Sequence, residues 1–158
     1  MLVEFTLRFD SSRRGISVSD MSDWAKKLTD EKKQKEESRE SRQQYDLSNR
    51  KMLDAHREDK WEEVCAAMEK AAATLRHHNP DCSTVYRSSP SDVIISLKQS
   101  LDKHIVKFYP GTWRIASEGD SYCLTVIAEN KIVWKDESDI YTSATVAQAI
   151  VGKVFKGE

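Results

Sequence analysis

The residues best equipped for chemistry are His77, His78 and Cys82 in "HHNPDC", His104, and Cys123 in "SYCLTV". Two imidazoles and a thiol within six residues are soft metal ligands, but a closed zinc site needs a fourth ligand, and no other Cys or His lies nearby in sequence. His77 and His78 also end a helix-forming stretch, where cations complement the helix terminus, so capping accounts for both of them. Cys123 sits in an alternating strand pattern without an evident activating neighbour, which favours a packed thiol over a nucleophile. A single His104 is a weak general-base signal. No G-x-S-x-G, P-loop, G-x-G-x-x-G or H-E-x-x-H occurs. The sequence therefore implies no catalytic residue, no cofactor and no metal, and an enzyme is the least favoured class.

The three cysteines are odd in number and widely spaced, which argues against a disulfide framework and for a reducing, cytoplasmic compartment. No apolar run reaches the roughly 20 residues that span a bilayer, so no membrane is expected. Net charge is −1, with sixteen basic and sixteen acidic residues in 1–80 and nine and ten in 81–158. That balance supplies no long-range attraction to nucleic acid. Apolar residues make up 39% of the chain and charged residues 32%, so part of the molecule should lack a core of its own.

These residues must be positioned by elements that the patterns mark out in turn. Val3, Phe5, Leu7 and Phe9 alternate with polar residues, so 1–20 reads as an edge strand, or else as a mis-called extension ahead of a true start at Met21. Residues 21–79 contain neither Pro nor Gly before Pro80 and read as one long charged helix or a helical hairpin. In it "DEKKQKEESRESRQQ" carries five basic and five acidic residues over 30–42, whose attractive and repulsive helix pairs nearly cancel at a few tenths of a kcal/mol each. This stretch reads as a solvated helical spacer that frays readily.

Beyond the spacer, Leu53, Trp61, Val64, Cys65, Met68, Ala71, Ala72 and Leu75 form an apolar stripe, suited to a core or to an oligomerisation seam. Trp24, Leu28, Leu53, Trp61, Val64, Met68 and Leu75 are the residues expected to contact a protein partner or a second copy of the chain.

Residues 80–89 read as a linker. Ser89, Pro90 and Asp92 form a helix start signal, and Val93, Leu97, Leu101 and Ile105 follow at intervals of four, which predicts a helix over about 90–104. Three short antiparallel strands are predicted at Trp113–Ser117, Tyr122–Ala128 and Lys131–Trp134, with Glu129-Asn130 as a tight turn. Thr142 or Ser143 can cap a last helix to about Lys156. The fold class expected is α+β: a long N-terminal helical extension, then a small helix, three-stranded meander and helix module over 90–158.

This helix-strand-strand-strand-helix order resembles that of the double-stranded-RNA-binding domain in element order only. The family's last helix carries lysines near its start; here "TSATVAQA" has no basic residue, and the loop "SEGDS" is acidic. The preferred reading is a small accessory or adaptor protein acting through protein–protein contact or self-association. A nucleic-acid-binding protein is the alternative, and an unrecognised enzyme the second alternative.

Overall fold

The computed structural model describes residues 18–80, 84–98, 100 and 102–157. The alternating segment at Val3–Phe9, Cys82 and Leu101 lie outside the described residues. The chain divides into two units, one ending at Tyr45 and the other spanning Asp46–Glu158. Helix α1 runs from Val18 to His78, a length that a stretch free of helix breakers permits.

In the first unit, residues 19–45 are exposed throughout, so intramolecular packing does not explain their helicity. The counted side-chain pairs are only partly realised: Lys32 reaches Glu36 and Lys33 reaches Glu37, each at 4.0 Å and well exposed. Such pairs contribute a few tenths of a kcal/mol at most.

The second unit pairs the rest of α1 with a seven-stranded antiparallel sheet and helix α2 (Ser143–Lys156). The strands are β1 (Thr84–Ser89), β2 (Asp92–Ser96), β3 (Lys103–Tyr109), β4 (Arg114–Ser117), β5 (Asp120–Ile127), β6 (Lys131–Lys135) and β7 (Ile140–Tyr141). They follow one another across the sheet in chain order, a simple meander.

This corrects the expected three-stranded module. The segment predicted as a helix over 90–104 is β2, a connection and the start of β3, and β1 lies within the stretch read as a linker. The cause is local: Pro90 and Ser91 form the turn of the β1–β2 hairpin, and the β-branched run Val93-Ile94-Ile95 favours a strand. Val93 and Ile95 are buried with a period of two, and so the four-residue spacing was incidental. With seven strands, the likeness to the double-stranded-RNA-binding order disappears.

Strands β4, β5 and β6 fall close to the three predicted spans. Ile127 pairs with Lys131, so the connection is the three residues Ala128–Asn130, one longer than the expected two-residue turn, with Glu129 and Asn130 both in left-handed backbone, φ 62° and 56°. Thr142 and Thr145 form a reciprocal capping box at the start of α2, and Gly157 closes its end at φ 74°.

One face of the sheet meets both helices. Val93, Ile95, Val106, Phe108, Ile115, Tyr122, Leu124 and Trp134 pack with Trp61, Val64 and Met68 of α1 and with Val146, Ile150 and Val151 of α2. This is a two-layer arrangement with a single core.

Candidate functional site

Of the seven residues expected to meet a partner, the structure brings four into the core. Leu53, Trp61, Val64 and Met68 are buried, and Leu75 is partly buried at the edge of the same cluster. Trp61 stacks on Phe108 with ring centroids 5.3 Å apart, and its Nε1–H donates to the Pro90 carbonyl at 2.8 Å. The apolar stripe of α1 is therefore covered by this chain's own sheet, which at about 25 cal/mol per Å² is a large share of what holds the second unit together.

A polar border surrounds that contact. Arg87 of β1 grips Glu62 with two hydrogen bonds of 2.7 and 3.0 Å. Trp113 Nε1–H donates to Asp54 at 2.9 Å, and the Ser143 hydroxyl donates to Glu63 at 2.8 Å while accepting from Trp134 Nε1–H at 3.2 Å. These bonds join α1 to the sheet and to the start of α2, a positioning role rather than a chemical one.

The residues suited to chemistry do not converge. His104 pairs in register with Ile95 on the helix-covered face and contacts Glu118 at 2.7 Å through Nδ1. Cys123 pairs with Arg114 and Lys135 and faces the other way. The pleat thus separates the His104 imidazole from the Cys123 thiol, which is exposed and not packed as its strand pattern suggested. Burial pushes the Cys65 thiol up to about 11, which leaves it a poor nucleophile. His77 and His78 meet edge to face, 5.4 Å apart, in the last turn of α1. Among the described residues no group of three or more His, Cys, Asp or Glu is placed to hold a metal ion. No helix among them is long and apolar enough to cross a membrane.

Two charged groups are strongly perturbed together. The Asp139 and Ser138 backbone amides and the Tyr141 hydroxyl all donate to Asp136, at 2.7, 2.8 and 2.7 Å. The Asp139 amide, then the Tyr141 hydroxyl, hold the Asp136 carboxyl down to about 2, and the same bond pushes Tyr141 up to about 12. The arrangement closes the β6–β7 turn and presents no free reactive group.

A groove of about 410 Å³ lies between the C-terminal part of α1 and the first two-thirds of α2, lined by small and apolar residues from Ala67 to Leu75 and from Ala144 to Gly152, with Lys70, Thr74 and Gln148 among them. Its walls carry no convergent set of polar groups, so it offers shape without chemistry.

Two surfaces stay open. On the first unit Met21, Trp24, Leu28 and Tyr45 are 47–62% exposed, on a segment otherwise polar. On the second unit, among its described residues, both helices pack on the core-facing side of the sheet and leave the outward face uncovered by them. It presents Tyr86, Ile105 and Tyr109, each 40–45% exposed, among charged side chains. Charge counts along the chain missed this face; the signal was the alternation within "KHIVKFY", which sends Lys103, Ile105, Lys107 and Tyr109 to one side.

No protein-family model, no curated protein and no solved structure matches the chain.

Proposed function

We propose that the protein is a non-catalytic interaction protein that self-associates through the exposed first unit of α1. The observation carrying this reading is the spacing of its exposed apolar residues. Met21, Trp24 and Leu28 lie three and four residues apart, and continuing the same alternation through Glu31, Lys35, Ser38 and Arg42 arrives at Tyr45. That is the a/d pattern of a coiled-coil seam, with apolar ends and a polar middle.

The seam is complementary to itself when two copies run antiparallel. Setting Leu28 against Tyr45 of the second copy places Glu31 against Arg42 and Lys35 against Ser38 in the next two layers. Apolar meets apolar and opposite charges meet, twice over by symmetry. A polar centre weakens such a pair while fixing its register and direction. The association is accordingly weak and reversible, suited to an adaptor.

Light scattering over a concentration series tests the reading. Twice the chain mass at high concentration, lost in Trp24→Ser/Leu28→Ser, supports it. Glu31→Arg alone weakens association, and adding Arg42→Glu restores it, because the exchanged pair has the same complementarity. A monomer at every concentration overturns it.

A further inference from the structure

The outward face of the sheet sorts charge in a way that the balanced sequence conceals. By strand register, the basic residues on this face are Lys103, Lys107, Arg114, Lys131 and Lys135, against the acid Asp92. Glu118 and Asp120 also line the hollow beside Lys107 and Tyr109, where Asp120 is paired with Lys153 and Glu118 contacts His104. Among the described residues none of the five cations makes an ion pair. The chain carries a net charge of −1, yet this one face holds an excess of cations.

Aromatic rings are interleaved with those cations. Tyr109, Arg114, Cys123, Lys135 and Ile140 are cross-strand partners in one continuous row over β3 to β7. At about 4.8 Å per strand the row spans roughly 19 Å. Its first two members are already stacked, with the Arg114 guanidinium 5.1 Å from the Tyr109 ring centre. Tyr86, Ile94 and Ile105 form a second, parallel row over β1 to β3.

We infer that this face binds single-stranded nucleic acid, with phosphates on the lysines and Arg114 and bases stacked on Tyr109 and Tyr86. Flat rings set among cations on an open antiparallel sheet are what such a strand uses: every base offers a π-face and every linkage a negative charge. An acidic polypeptide would satisfy the cations but leave the two exposed rings without a matching partner. A duplex would bring phosphates while keeping its bases stacked away from the tyrosines.

The probe is a fluorescently labelled oligouridine read by anisotropy with the full chain, alongside polyglutamate of matched charge and an RNA duplex. The expected result is binding at low salt with a log–log salt slope of about −3.5 if all five cations are engaged, since about 0.7 counterions are released per single-strand phosphate neutralised. Lys107→Gln should flatten that slope by about 0.7. Tyr109→Ser should cost roughly fivefold or more in affinity for oligouridine, as one lost stacking contact implies, and leave polyglutamate unchanged.

A second readout uses Cys123 at the centre of the row, in a Cys82→Ser background where Cys65 is buried: oligouridine should slow its alkylation. Lys26→Gln/Lys27→Gln, on α1, should leave binding as it was. No binding at low salt, equal binding of polyglutamate, tighter binding of the duplex, or indifference to Tyr109→Ser would each overturn the inference. If Tyr109→Ser fails to fold, Tyr109→Phe retains the stacking face and should bind as wild type, and Lys107→Gln decides the charge contribution.

Discussion

Trp61 of α1 lies 5.3 Å from Phe108 of β3 with the two rings 15° from parallel, and this stack joins the long helix to the sheet. Trp61→Ala should destabilise the second unit by about 3–5 kcal/mol, because it removes a buried aromatic and leaves a cavity between two rigid elements. Urea denaturation followed by circular dichroism measures it. Trp24→Ala, at an exposed site, should change the same midpoint by less than about 0.5 kcal/mol.

The Asp136–Tyr141 bond makes stability depend on pH at both ends of the scale. Asp136 falls from an ordinary 3.8 to about 2 in the folded state, so its contribution is present above about pH 4 and is lost as pH falls through 2. Tyr141 rises from 10.0 to about 12, so its contribution is present below pH 10 and is lost as pH rises through 12. Tyr141→Phe should reduce the alkaline loss, leaving the part due to Tyr122, whose phenol burial also raises, and flatten part of the acid limb, measured as thermal midpoints across a pH series.

Thr142→Ala removes the side-chain half of the α2 capping box, whose Oγ1 accepts from the Thr145 amide at 3.2 Å. A cost of about 1 kcal/mol is expected, and Thr142→Ser should recover most of it. Chemical denaturation of the three proteins side by side checks this.

The two described thiols should differ in reactivity. Cys123 is exposed on the outward sheet face, whereas Cys65 is buried beneath Arg87 and Glu62 with its thiol raised to about 11. Iodoacetamide at neutral pH should modify Cys123 promptly and reach Cys65 only after denaturation, as peptide mass mapping would show.

Strands β4, β5 and β6 were legible because their signals are local; β7, only two residues long, carries no alternation of its own and was not. Alternation over five to eight residues, the Glu129-Asn130 turn and the threonine cap each act within a few residues of backbone. The first three strands were not. Around Ser89 a helix start signal and an incidental four-residue spacing competed with a short β-branched run, and only pairing with the neighbouring strands decides such a contest. The apolar stripe of α1 was equally plain in sequence, but its destination was open, since a core and an oligomer seam ask for the same residues at the same spacing.

By itself the sequence determined a long stretch free of helix breakers, a closing capped helix, and the absence of any recognisable catalytic motif, because backbone propensity and capping are short-range properties. That the stretch is one helix and not a hairpin is seen only in the structure. Tertiary structure alone decided that Leu53, Trp61, Val64 and Met68 are spent inside the chain while Met21, Trp24 and Leu28 are not. It also decided which side of the sheet each lysine faces. Both are matters of register between strands distant in sequence, where a shift of one residue moves every side chain to the opposite face.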